Sequence, residues 1–308
     1  MKQPYGLAPD DRADESVRKI LRRLFGALRS NVDGVVEDAD IEFLHDLRVA
    51  IRRTRTALSQ TKGVLPLSVM DTFPPEFKWL GDVTGPCRDL DVMLLEMDGY
   101  RHQSEIDAGA LGPLRNFLRE RRRREHSLVC AALQSERFQR LVEGWGRYLE
   151  TGAEEETRPP LASTPIIGVA GPRILKTYRK TRKRGTGIDV DPRAALLHRL
   201  RIDGKKLRYL LEFFSDLFPR ATVTRFIREL KQLQDILGDF CDTEVQLALI
   251  REFTDHGTAS AETPAVSSRL TETIEERQRE LRTEFSERFE LFAGDESRKL
   301  YKKTFKTT

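Results

Sequence analysis

Residues 45–94 superpose on residues 198–247 without a gap, and 15 of the 50 pairs are identical. Pro66 meets Pro219, Phe73 meets Phe226, Glu76 meets Glu229, Lys78 meets Lys231, Gly85 meets Gly238 and Asp89 meets Asp242. The tetrapeptide Ser135-Glu136-Arg137-Phe138 returns as Ser286-Glu287-Arg288-Phe289, and KILRR at 19–23 returns loosely as RILKT at 173–177. Any fold of this chain must therefore use one set of elements twice. The period is far too long for a solenoid, so the expected architecture is two tandem halves.

Within the duplicated stretch the pattern is helical. His45, Arg48, Arg52 and Arg55 stand at i, i+3, i+7 and i+10, and His198, Arg201, Lys205 and Arg208 repeat that spacing. At about 100° and ~1.5 Å per residue, four such side chains share one helix face roughly 80° wide and ~15 Å long. Leu47, Ile51, Thr54 and Leu58 lie roughly opposite the first ladder, and Leu200, Leu207 and Leu211 opposite the second. Each helix is thus apolar on one side and cationic on the other. A histidine-headed ladder of fixed positive charge, built twice, suits a long polyanion.

Strand-like alternation is scarce, and the predicted fold class is all-α. It comprises two tandem helical halves, four-helix-bundle-like and related by pseudo-two-fold symmetry. Helices are expected near 14–30, 39–61, 73–82, 89–107, 110–134, 136–150, 171–184, 192–216, 221–238, 242–256, 263–285 and 287–304. Asp191-Pro192 reads as an N-cap followed by proline at N1. Residues 1–14 form an N-terminal lead, 15–150 a first half, 151–165 a Pro- and acid-rich linker, and 166–305 a second half.

Net charge is only +4 although 33% of residues are charged, so a polyanion partner must be argued from arrangement rather than total charge. Three cysteines without a CxxC pair argue against a disulfide framework or zinc knuckle and for a reducing compartment. The polar, acidic N-terminus is unlike a signal peptide, and no apolar run reaches the ~18 residues of a membrane span. A soluble cytoplasmic protein with no membrane partner is the expectation.

The motifs HDLRVAIRRTRTAL and LGDVTGPCRDLDVMLL, then LHRLRIDGKKLRYLLEFF and LKQLQDILGDFCDTEVQL, resemble the CHAD domain, the conserved histidine α-helical domain. The resemblance covers about 15–305. It implies two four-helix bundles around a basic surface, and binding of inorganic polyphosphate without catalysis, in the setting of polyphosphate granules. By matching position it implies that His45, Arg48, Arg52 and Arg55, with His198, Arg201, Lys205 and Arg208, face the ligand. Arg53 and Lys206 match each other and flank that face. Gly204 departs from its counterpart Ile51, and glycine inside a helix costs about 1 kcal/mol relative to alanine. That departure marks either a weaker helix or an unusually close neighbour.

Arginine suits phosphate because its planar fork donates bidentate hydrogen bonds and stays charged. Further cations could extend the surface: Lys176, Arg179, Lys180 and Lys183 in a segment without acids, Arg115, Arg119 and Arg122 on one face, and the matched pair Lys78 and Lys231. The run Arg121–Arg124 reads more simply as a solvated, salt-bridged face. The repeated acids Asp82, Asp89 and Asp91 read as helix caps or bridges to nearby cations. No metal site or cofactor is expected: neither histidine has a His or Glu at i+4. His45-Asp46 lacks the partners of a phosphohydrolase signature. Besides polyphosphate, weak binding of a nucleic-acid backbone is the alternative, though no ladder position is aromatic.

Overall fold

The computed structural model describes residues 4–103, 106–107, 109–152, 159–186, 188, 194–255 and 263–306. The N-cap expected at Asp191-Pro192 lies outside them. Twelve α-helices and no strand occur among the described residues. In the first half these are α1 (Ala13–Arg29), α2 (Val32–Val36), α3 (Ile41–Gln60), α4 (Leu67–Val83), α5 (Gly85–Gln103), α6 (Gly112–Leu133) and α7 (Glu136–Thr151). The second half has α8 (Ile166–Gly185), α9 (Ala194–Phe213), α10 (Arg220–Asp255), α11 (Thr263–Ala293) and α12 (Asp295–Phe305).

The offset of 153 residues carries over to the helix boundaries. α3 and α9 end at equivalent residues, Gln60 and Phe213, and α4 and α10 both begin directly after the matched prolines Pro66 and Pro219. Where the halves part, the residues give the reason. α4 stops before Gly85-Pro86 because Pro86 has no N–H to continue the ladder, whereas Asp239 stands at its equivalent position and α10 runs through. The break expected between 238 and 242 is therefore absent. Similarly, Ser135 caps α7 by accepting from Phe138 N at 3.3 Å, while Ser286 lies inside α11 with its hydroxyl on Arg282 O. α4 also begins six residues earlier than expected and carries Pro74 and Pro75 within it, its apolar side held by buried Val69, Phe77 and Leu80. The five-residue α2 was not expected.

An isolated antiparallel bridge joins Arg12 to Pro165, with Ala13 N donating to Thr164 O and Ile166 N to Asp11 O. Each residue is the other's equivalent at the 153-residue offset, so exchanging the halves maps the bridge onto itself. α1 packs on α3 as α8 packs on α9, and α3 packs directly on α9. One continuous core runs through both halves, and a second joins the α5–α6 pair to the α10–α11 pair through Met93, Leu114, Ile250 and Ile274. The expected apolar faces are the buried ones: Leu47, Ile51, Thr54 and Leu58 on α3, and Leu200, Leu207 and Leu211 on α9.

The N-terminal lead is not free of the body. Gly6 N donates to Asp216 Oδ2 at 2.7 Å, Leu7 is buried, and Tyr5 packs its ring on Phe213. Beside it Arg53, 4% exposed, pairs with Glu212 of α9 and lies over the rings of Tyr209 and Phe213, each 5.2 Å from the guanidinium. Glu212 and Tyr5 hold Arg53 above its ordinary pKa against the opposing effect of burial. This residue braces one half to the other. Arg53→Ala, which leaves Glu212 only its weaker pairing with Arg208, should cost about 3 kcal/mol in urea unfolding. The double variant Arg53→Met/Glu212→Leu should recover most of that loss.

Candidate polyanion-binding cleft

Because α3 and α9 pack side by side, their two ladders meet. A groove follows the contact and divides into two lobes of about 1320 and 620 Å³, and Arg52, Lys205 and Tyr209 line both. The larger lobe also takes Arg55 and Lys78 from the first half with Ile202 and Lys206 from the second. The smaller takes Arg208 and Lys231 from the second half with Val49 and Arg53 from the first. These lists are each other's counterparts at the 153-residue offset, with Arg52 and Lys205 at the crossing point. His45 and Arg201 complete the smaller lobe.

Crowding cations under partial burial has visible consequences. Lys205 is pushed down to about 6, first by burial and then by Arg201 and Arg52. His45 is lowered by burial and by Arg88, and His198 by burial, Arg201 and Lys205. The buried Nε atoms of Arg52 and Arg201 have no hydrogen-bond partner among the described residues, as is also true of Arg18, Arg48 and Arg53, while Arg208 Nε lies 3.5 Å from Glu212 Oε1. Cations from both halves are thus held close together under partial burial.

Comparison with known proteins gives the family. A model of the CHAD domain matches residues 19–251. The chain belongs to the CHAD domain family. It is 28% identical over 224 residues to the uncharacterized protein Rv2226 of Mycobacterium tuberculosis (strain ATCC 25618 / H37Rv), and equally so to the uncharacterized protein MT2285 of strain CDC 1551 / Oshkosh. Each match covers 69% of this chain but only 40% of the relative, so the chain spans well under half their length. Among solved structures it resembles the CHAD domain of the plant Ricinus communis, at a TM-score of 0.78 and 27% identity over 93% of this chain and 94% of that one. PptA from Streptomyces chartreusis shares the fold, with a TM-score of 0.73, 16% identity, and coverage of 91% of this chain and all of that one.

Not every predicted residue of this CHAD chain reaches the cleft. Arg48 turns to α4, donating to Gly81 O at 2.9 Å and Thr84 Oγ1 at 3.0 Å, and burial pushes it down to about 10. His198 is exposed and lines neither lobe. Lys206 lines the larger lobe, lowered by burial although Asp203 opposes the shift. Arg122 bridges Asp91 at 2.6 Å and Asp38 at 2.7 Å, and Arg115 holds Asp98 at 2.6 Å; neither lines a lobe. Arg119 is exposed on the same helix. Arg123 and Arg124 pair with Glu120, as a salt-bridged face requires. On α8, Lys180 and Arg184 both hold Asp203, which is 2% exposed on α9. The compensating acid absent from 173–184 thus comes from another helix. Lys176, Arg179 and Lys183 stay exposed, outside both lobes.

The acids are closer than expected. Asp46, Glu212, Asp235, Asp239 and Asp242 line the smaller lobe among its cations, and Arg201 lies 3.6 Å from Asp242. Burial raises Asp89 and Asp242 above the ordinary carboxylate range, while nearby arginines oppose the shift.

Gln234 was missed by sequence reasoning. It is 4% exposed, lines the smaller lobe, and neither its amide nitrogen nor its oxygen has a partner among the described residues. The signal was Gly204. A Cβ there would lie 3.7 Å from the Gln234 side chain, so the missing side chain on α9 makes room for a longer one on α10. In the first half the exchange is reversed: Ile51 of α3 packs over Gly81 of α4, whose added Cβ would also meet Arg55 at 3.0 Å. An unpaired buried amide costs ~1–3 kcal/mol. Gln234→Leu should therefore raise the melting temperature and, if the amide serves the ligand, weaken polyanion binding severalfold. Calorimetry and a binding titration on the same sample check both.

Proposed function

We propose that the chain is a non-catalytic binding module for inorganic polyphosphate, gripped between α3 and α9. CHAD domains are associated with polyphosphate binding in general. The observation that carries the reading here is the meeting of the two ladders at Arg52 and Lys205, with cations of both halves lining the lobes on either side. Polyphosphate carries about one negative charge per phosphate and offers oxygens alone, so cations and N–H donors at short intervals are all it needs. His45, Arg201, Arg208, Arg55, Lys206 and Lys231 extend the contact on either side of the crossing. A cytoplasmic location on polyphosphate granules is the setting this activity suggests. No helix among the described residues is long and apolar enough to cross a membrane.

A nucleic-acid backbone is the second reading, and the lining disfavours it. Tyr209 is the aromatic residue common to both lobes and is 2% exposed, so stacking platforms for bases are lacking. The deciding experiment titrates long-chain polyphosphate, double-stranded DNA, single-stranded RNA and pyrophosphate at about 50 and about 200 mM salt. Polyphosphate should bind tightest, with affinity falling steeply with salt. Equal affinity for nucleic acid would reject the reading. Arg52→Glu/Lys205→Glu should abolish binding with helicity intact.

The sign of the pH effect follows from the depressed cations. Lys205 and His45 hold fewer protons in the free cleft than they would beside phosphate, so binding takes up protons. Affinity should rise as pH falls from about 8 to about 6. Lys205→Arg, charged throughout, should tighten binding at the upper end and flatten the profile. Calorimetry in buffers of different ionisation enthalpy reads the proton uptake directly, and zero uptake would contradict the assignment.

A further inference from the structure

Polyphosphate has no apolar surface, yet one wall of the larger lobe is apolar. Leu67, Met70, Pro74, Pro75, Pro160 and Ile202 line it. Leu67 is 79% exposed and Ile202 40% exposed, and both stand among the few large hydrophobic side chains open to water among the described residues. The duplication supplies an internal control. At the 153-residue offset Leu67 becomes Arg220 and Pro75 becomes Arg228, both exposed, while Met70 becomes Val223, which is buried. Leu67 and Arg220 occupy the same place, the first residue of α4 and of α10. Pro74 and Ile202 keep apolar counterparts in the smaller lobe, Ile227 and Val49, whereas the counterparts of Leu67, Met70 and Pro75 do not line it. The smaller lobe thus keeps the cations with a much reduced apolar lining.

The two lobes also differ in acids. Asp71 is the carboxylate of the larger lobe, against the five that line the smaller. The larger lobe combines Arg52, Arg55, Lys62, Lys78, Lys205 and Lys206 with an aliphatic face. Its volume of about 1320 Å³ exceeds the roughly 300–1,000 Å³ usual for small-molecule sites, leaving room for a long occupant. The wall is aliphatic and prolyl rather than aromatic, which suits a chain of methylenes better than a stacked ring.

We infer that the larger lobe binds an anionic amphiphile: a phosphate or diphosphate ester with a long aliphatic tail. The head lies among Arg52, Arg55 and Lys206, and the tail runs along Leu67, Met70 and Ile202. Arg52, Arg55 and Lys206 also belong to the proposed polyphosphate contact, so such an ester and polyphosphate compete. The inference stands on the apolar wall and is independent of whether the smaller lobe takes polyphosphate.

The test is a titration of the full chain with methyl, hexyl and dodecyl phosphate, each as monomer, and with vesicles of phosphatidylcholine with and without phosphatidic acid. Affinity should climb with tail length, by up to roughly fourfold for each buried methylene. Leu67→Arg with Pro75→Arg, which copies the other lobe onto exposed positions, should flatten that climb and leave polyphosphate affinity unchanged or higher. A tail gradient accompanied by selective binding of phosphatidic acid vesicles assigns the ester to a membrane lipid; a gradient without it assigns a soluble ester. Equal binding of methyl and dodecyl phosphate, a gradient that survives the double substitution, or vesicle binding without a gradient would each overturn the inference. Loss of polyphosphate binding alone, with the gradient intact, would sink only the polyphosphate reading.

Discussion

Everything in this structure turns on the packing of α3 against α9, two helices whose exposed sides are both cationic. Burying cations beside one another is unfavourable, and Lys205 and His45, depressed first by burial and then by neighbouring cations, register it. The shared core beneath holds the arrangement, for Leu47 and Ile51 on one helix and Leu200 and Leu207 on the other are fully buried. Arg53 and Glu212 fasten the pair across the same contact, with aromatic rings on the far side of the guanidinium. On the proposed reading, a bound polyanion would offset this cost.

Duplication supplied the frame, and small substitutions then made the two sides unlike. The exchange of Ile51 over Gly81 for Gly204 under Gln234 conserves the space between neighbouring helices while moving a polar group into one lobe. Pro86 against Asp239 decides whether the frame uses two helices or one. Leu67 and Pro75 against Arg220 and Arg228 make one lobe amphiphilic. None of these changes disturbs the meeting of Arg52 with Lys205.

Much of this was legible in the chain because repetition and period are local signals. The ladders, their apolar backs and the family were read from spacing and motif, and α3 and α9 lie where those patterns put them. What escaped depended on which helices become neighbours. The acid that answers Lys180 is Asp203, twenty-three residues away on another helix. Arg122 looked like part of a basic face until α6 packed it against Asp91 and Asp38. Arg53 and Lys206 are matched in sequence, yet one is buried against Glu212 and the other lines the larger lobe. Gly238 and Ser286 looked like boundaries because their counterparts are, but Asp239 rather than a proline follows Gly238, and the Ser286 hydroxyl donates to Arg282 O instead of capping.

The central claim is that two ladders, one from each half, hold a single polyanion. The most direct measurement is the calorimetric stoichiometry of a short polyphosphate on the wild type and on variants carrying Arg52→Glu or Lys205→Glu alone. A shared cleft predicts one chain bound per protein, and near-complete loss when either ladder is reversed. Two chains per protein, with each variant losing only one of them, would contradict it.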